Sequence, residues 1–273
     1  MQRALTKIYG ILGSPIEHSL SPAMQNDAFR ALGLNACYHA FCVTPEMLKE
    51  AILGARAMGF GGLNLTIPLK EKVLEIVEPD ALASAIGAVN TISFRNGMVG
   101  HNTDGVGALL ALKAAGIEVK RRNVLLVGAG GGAKAIAYTF AREGARISIA
   151  NRSLRRAEDL AARVGGAGHG LEELTSLVPL ADVVINATSV GMKEGDPRLF
   201  EGRQLHKGQA VFDIVYNRET ELLKDAKEAG AVAIDGVMML VYQGAKALEI
   251  WTGKRAPVEV MERVVREEIG ARR

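Results

Sequence analysis

The chain has 273 residues, 48% of them hydrophobic, with 31 glycines and 8 prolines, a composition that suits a loop-rich α/β protein with one large core or two modest ones. Its 33 basic and 30 acidic residues leave a net charge of +3, and the lysines and arginines are scattered, which argues against a nucleic-acid partner. No apolar run reaches the roughly 18 residues of a membrane span and the amino-terminal residues lack the apolar block of a signal peptide, so a cytoplasmic protein without a membrane partner is expected.

Short β-like runs alternate with helix-like ones from the start, which predicts mostly parallel sheets with helices on their faces. Residues 8–12 and 36–43 read as strands, and 22–32 and 45–58 as helices. Cys37 and Cys42, the only thiols, fit neither a zinc pair nor a redox C-x-x-C and are expected to be buried small hydrophobes. Ser21, ahead of Pro22, reads as an N-cap with proline at the first helical position, whereas Ser19 has no such explanation. Two hydroxyls at a helix start, with unpaired N–H groups behind them, make a small anion site fit for a carboxylate.

Residues 61–68 follow as a strand ending in a proline-directed turn, then helical material through 86 and a hairpin of 88–94 and 98–101 joined around Asn96-Gly97. Asn64, Thr66, Asn90 and Thr91 fall at strand ends, Lys70 follows Pro68, and Asp104 opens an amphipathic helix to about residue 115. Taken singly, these are ordinary polar residues and surface charges; strand ends beside a nucleotide domain are also where α/β enzymes place their ligands. His18, His39, His101, His169 and His206 show no i, i+4 pairing, so no metal site is expected and any carbonyl must be polarised by side chains.

After Lys120-Arg121-Arg122, a solvated strand entry, the pattern restarts at 124–130 and marks a second domain. Its expected strands are 123–127, 146–150, 182–186, 210–214 and 231–234, with helices between them. Helices at 237–252 and 256–269 have no strand to serve and are expected to pack back on the first domain. The division is therefore a first domain of residues 1–102 completed by 237–273, and a second of 103–236.

Gly128, Ala129, Gly130, Gly131, Gly132 and Ala133 lie between an apolar strand and a helix expected to begin near Ala133, the context that gives G-x-G-x-x-G/A its meaning. The glycines let the backbone turn tightly and approach a pyrophosphate at the helix amino terminus. At the tip of the next strand an NAD enzyme places Asp or Glu against the ribose 2′-hydroxyl; here Asn151, Arg152 and Ser153 stand instead, with Arg156 one turn on. Guanidinium forks bind phosphate oxygens, so these four residues form a candidate 2′-phosphate site and NADP is the expected cofactor. Ser153 serves equally as a helix N-cap.

Several motifs together resemble the shikimate dehydrogenases: S-x-S-P at 19–22, N-L-T-I-P-L-K at 64–70, G-A-V-N-T at 87–91, N-T-D-G-x-G at 102–107, G-A-G-G at 128–131, N-A-T-S-x-G-M at 186–192 and M-L-V-x-Q at 239–243. The resemblance implies an amino-terminal α/β substrate domain and a carboxyl-terminal Rossmann-like NADP domain, with the active site in the cleft between them. It implies that Ser19 and Ser21 grip the shikimate carboxylate, with Tyr216 nearby. Asn64, Thr66, Lys70, Asn90, Asp104 and Gln243 would serve as the other substrate residues. Thr188, Ile214, Gly236 and Met239 would join the cofactor site, Ile214 and Gly236 near the nicotinamide.

The chain departs from the family at Met238, which replaces the second glycine of D-G-x-G, and at Asn217-Arg218 after Tyr216. The implied reaction is reversible NADPH-dependent reduction of 3-dehydroshikimate. In it Lys70 exchanges the proton and Asp104 holds its ammonium and a neighbouring ring hydroxyl. The partner is then a small molecule, and the chain a monomer or homodimer. Three rivals stand beside this reading: a quinate/shikimate enzyme using NAD, a non-catalytic metabolite sensor on the same scaffold, and a short-chain reductase using Tyr242 and Lys246 as Y-x-x-x-K.

Overall fold

A computed structural model describes residues 5–271; the ends of the expected first-domain ranges, residues 1–4 and 272–273, lie outside the described residues. The chain divides into two compact units. One comprises the residues up to Thr103 together with those from Val241 onward, and the other is Asp104–Leu240.

The first unit holds β1 (Lys7–Gly13), α1 (Ser21–Ala31), β2 (Ala36–Cys42), α2 (Leu48–Ala57), β3 (Gly62–Leu65), α3 (Leu69–Lys72), β4 (Glu78–Pro79), α4 (Ala81–Ile86), β5 (Thr91–Ser93) and β6 (Val99–His101). Its sheet runs in the order β2-β1-β3-β5-β6-β4. β1 pairs in parallel with β2 and β3, and β4 with β6, while β3, β5 and β6 pair antiparallel through the hairpin, so this sheet is mostly parallel with an antiparallel hairpin set into it. β3 is buried along its whole length, which fits an interior strand covered on both faces, and Leu63 and Leu65 join Leu48, Ile52, Leu69, Val73 and Ile92 in one core.

The second unit begins with α5 (Asp104–Ala114) and continues through β7 (Asn123–Val127), α6 (Gly131–Arg142), β8 (Arg146–Ala150), α7 (Leu154–Val164), β9 (Ala167–His169), α8 (Leu174–Leu177), β10 (Val183–Asn186), β11 (Ala210–Asp213), α9 (Glu221–Glu228) and β12 (Val232–Ile234). All its strands are parallel, in the order β12-β11-β10-β7-β8-β9. β9 adds a sixth strand to the five expected: its Ala-Gly-His has no apolar run, but its backbone pairs with β8 from Ser148 to Ala150. α10 (Val237–Thr252) and α11 (Val258–Ala271) close the chain, and α11 packs against α1. Trp251 of α10 donates its indole N–H to the Ile92 carbonyl at 2.9 Å and stacks on Tyr9 at 5.0 Å between ring centroids, which ties this helix to the first sheet.

Two local expectations are corrected. Ser21 is the first residue of α1 rather than its cap; Leu20 holds the cap position, and the Ser21 N–H is met by the Ser19 hydroxyl at 3.3 Å, so Ser19 is the hydroxyl that works locally. Cys37 is buried as expected but Cys42, at the end of the edge strand β2, is exposed.

Candidate functional site

In the first unit a chain of polar groups joins four of the residues singled out from the sequence, Asn64, Thr91, Asn90 and Gln243. Asn64 on β3 donates its amide to the Asn90 carbonyl at 3.1 Å and to Thr91 Oγ1 at 3.0 Å. A carbonyl can only accept, so the Asn64 orientation is fixed and its Oδ1 faces Tyr38, whose hydroxyl donates at 2.7 Å. Thr91 passes its proton to Asn90 Oδ1 at 3.0 Å, and the same oxygen accepts the Thr103 N–H at 2.8 Å. The Asn90 amide nitrogen is thereby turned the other way, toward Thr103 Oγ1 at 2.9 Å and Gln243 Oε1 at 3.5 Å. Gln243 in turn has its oxygen toward Asn90 and its NH2 on the opposite side. Asn64 has both N–H groups committed, so a ligand would meet only its oxygen.

Tyr38, which the sequence reading missed, is fully buried beside Trp251, at 6.1 Å between ring centroids. Burial pushes its phenol well above the usual range, opposed by its interaction with the Ser21 hydroxyl. Its signal in the sequence was only a tyrosine in an apolar strand; its partners lie 17 residues before and 26 after it. Ser21 is buried and Ser19 half-buried at the start of α1. Thr66 and Lys70 flank the turn after β3: the Thr66 N–H is held by the Leu12 carbonyl, the Thr66 carbonyl accepts from Leu69, and the Lys70 carbonyl accepts the Val89 N–H at 2.8 Å. The Lys70 side chain is half-buried on the short α3.

In the second unit Asp104 is buried at the start of α5 and Tyr216 is half-buried after β11. The glycine run leaves β7 through Gly128, whose φ of +118° favours glycine and whose missing Cβ would lie 2.8 Å from the Ala187 carbonyl. Gly130 caps α6, which begins at Gly131 rather than near Ala133, so the N–H groups of Gly131 and Gly132 belong to the first turn of a helix of 12 residues.

At the end of β8, Asn151 donates to the Ser153 carbonyl at 3.0 Å, and Arg152 and Ser153 are exposed. Ser153 caps α7 by position, without a side-chain bond. Arg156 reaches back to the Ala129 carbonyl at 3.1 Å, which joins the arginine to the glycine turn. A groove of about 390 Å³ lined by Ala129, Lys134, Arg156, Asp159, Leu160 and Arg163 adjoins them. Lys134 and Arg163 were missed in the sequence reading. The available signal was Lys134 in the first turn after the glycines and Arg163 seven residues beyond Arg156 on α7.

Thr188 and Ile214 sit on loops knitted by side chains at the ends of β10 and β11. Asn186 Oδ1 accepts from the Thr188 N–H at 3.0 Å and from its hydroxyl at 2.7 Å, and the Ile214 N–H is bonded to the Asn186 carbonyl at 3.1 Å. Gly236 donates its N–H to Val215, and Met239 is buried in the first turn of α10. Met238 lies within that helix, which carries a side chain there on regular backbone. The Lys246 of the Y-x-x-x-K pattern is exposed and ion-paired with Glu249 at 3.1 Å. Among the described residues no cluster of three His, Cys, Asp or Glu could hold a metal ion, and no helix is long and apolar enough to cross a membrane.

Three family profiles match in succession: the shikimate dehydrogenase substrate binding domain over residues 11–92, shikimate / quinate 5-dehydrogenase over 109–238, and the shikimate 5′-dehydrogenase C-terminal domain over 236–266. A shikimate dehydrogenase (NADP(+)) of Methanothrix thermoacetophila is 60% identical, covering 97% of this chain and 98% of its own. The crystal structure of the shikimate dehydrogenase of Aquifex aeolicus is 41% identical with a TM-score of 0.93, covering 97% of this chain and 100% of that one. That of Thermus thermophilus, solved in complex with NADP(H) and shikimate, is 35% identical with a TM-score of 0.88, covering 96% and 99%. With matches of this extent along both units, the chain belongs to the NADP(+)-dependent shikimate dehydrogenases.

Proposed function

We propose that the chain catalyses the reversible NADP-dependent interconversion of shikimate and 3-dehydroshikimate, a small-molecule oxidoreductase working in the cytoplasm as a monomer or homodimer. The observation that carries this reading is identity of 60% across 97% of the chain to a relative of that name. The residues present fit the dinucleotide: a Cβ at Gly130 would meet nothing within 4 Å, so the backbone ahead of α6 is open to a pyrophosphate, the first turn of α6 offers N–H groups, and arginine replaces the acid that would repel a 2′-phosphate.

The chemistry that NADP would supply when bound is hydride transfer to and from the substrate carbon. Arg152 and Arg156, with Asn151 and Ser153, would hold the 2′-phosphate, and the backbone of Gly128, Ala129, Gly130, Gly131 and Gly132 would hold the pyrophosphate. Thr188, Ile214, Gly236 and Met239 line the remainder of the cofactor site. Ser19 and Ser21 hold the shikimate carboxylate, with Tyr216 beside it. Thr66, Asn90 and Gln243 hold ring hydroxyls; the Asn90 N–H groups already face Thr103 and Gln243, so Gln243 is the amide left to donate, and Asn64 contributes as an acceptor. Lys70 takes the hydroxyl proton as the carbonyl forms and returns it in the reverse direction, and Asp104 holds a neighbouring ring hydroxyl.

Crossing shikimate and quinate with NADP+ and NAD+ in a nicotinamide absorbance assay tests the reading. The highest kcat/KM is expected for shikimate with NADP+. A preference for NAD+ with quinate would establish the rival dehydrogenase, and no turnover with any pair would leave the metabolite sensor.

A further inference from the structure

Chain order in the second sheet reverses at β7, with β8 and β9 on one side of it and β10, β11 and β12 on the other. A dinucleotide laid across the carboxyl ends of strands at such a point places one nucleoside half on each side. Arg152 and Ser153 follow β8, so the phosphorylated ribose falls on that side and the nicotinamide half over β10 and β11. Those two strands end together, Asn186 in register with Asp213, and Asn186 in register with Val127, which precedes the glycine turn.

Asp213 is fully buried there. Its Oδ1 accepts the Asn186 amide at 2.9 Å and the Val215 N–H at 3.0 Å, and its Oδ2 accepts the Thr220 hydroxyl at 2.7 Å. The first two groups can only donate, so the network is built around an acceptor. Burial pushes its pKa up and the three hydrogen bonds pull it down, with no cation among the causes. Nor does any ion pair to Asp213 occur among the described residues. A buried carboxylate without a cation is costly, and an asparagine of the same shape could meet the same three groups at lower cost. The charge itself therefore calls for a use, and the oxidised nicotinamide ring carries a positive charge that it loses on taking the hydride.

We propose that Asp213 is a charge-setting and positioning residue for the cofactor, its carboxylate at the carboxyl end of β11 favouring NADP+ over NADPH. The inference rests on the cofactor reading above. With strands about 4.8 Å apart, a ring held over the ends of β10 and β11 would lie within about two strand spacings of Asp213, roughly 10 Å. At such range, with an effective dielectric near 20 and partial screening, one unit charge shifts affinity by roughly three- to tenfold.

The test is separate titration of wild type and Asp213→Asn with NADP+ and with NADPH. The ratio Kd(NADP+)/Kd(NADPH) is expected to rise roughly three- to tenfold in the variant. Thr220→Val, which deletes a hydrogen bond but keeps the charge, should leave that ratio unchanged, and Asp213→Ser supplies the same readout should Asp213→Asn not fold. Two constants that rise by one common factor in Asp213→Asn, or that do not move, overturn the inference. Arg152→Asp separates the two levels of the argument. Weaker binding of both cofactor forms upholds the cofactor reading, so that an unmoved ratio in Asp213→Asn then sinks the inference alone; unchanged binding of both forms in Arg152→Asp removes the cofactor reading and the inference with it.

Discussion

Among single residues, Tyr38 is the clearest case of a side chain whose role depends on a partner distant in sequence. Its phenol donates to Asn64 Oδ1, and Asn64 in turn orients Thr91 and Asn90. Tyr38→Phe keeps the ring packed on Trp251 but leaves a buried carbonyl oxygen without its donor, so a loss of about 1–3 kcal/mol in unfolding free energy is expected in urea titration. Stability equal to wild type would show that Asn64 is satisfied some other way. The sequence carried the residue types of this cluster and not their connections. Asn64, Thr91 and Asn90 stood out as polar residues at strand ends, yet the order of donors and acceptors is set by a carbonyl and an N–H that only the fold brings within reach. Ser19 and Ser21 show the same limit, since S-x-S-P suggested a cap at Ser21 and the structure gives the local hydrogen bond to Ser19.

At the level of elements, the helices and the interior strands were legible from their apolar patterns: β7 and β10 carry the apolar runs 124–127 and 183–185, and α6 and α7 present one buried face. β9 and β4, of three and two residues, carry no period and exist through backbone pairing with a neighbour. The N-T-D-G motif has a packing meaning that the sequence did not disclose. At Gly105 of α5 a Cβ would lie 2.1 Å from Thr139 Oγ1 and 2.4 Å from the Ala135 carbonyl of α6, so the two helices meet backbone to backbone. Gly105→Ala must push them apart, and a destabilisation of about 1–3 kcal/mol or more is expected in thermal unfolding. An unshifted midpoint would show that the helices yield without cost.

For the whole molecule, the order of motifs suggested a first domain of 1–102 with 237–273 and a second of 103–236, and the compact units are the residues up to Thr103 with those from Val241 onward, and Asp104–Leu240. Spacing gives no reason to group Ser19, Lys70, Asn90 and Gln243, the residues proposed to form one site, because they are scattered over more than 200 residues. The likeness to a family supplied that grouping. Cofactor binding should be visible as stabilisation of the native chain: at a hundredfold excess over its Kd, NADP+ is expected to add about 2.7 kcal/mol. NAD+ at the same concentration should add less, and equal shifts for both would contradict the arginine-based phosphate site.

The most direct measurement is the steady-state kinetics of Lys70→Ala with shikimate and NADP+. Loss of the proton carrier should lower kcat by roughly 10²–10⁴ with a much smaller change in the shikimate KM. Turnover near wild type, or a loss confined to KM, would show that the amine at position 70 does not exchange the proton.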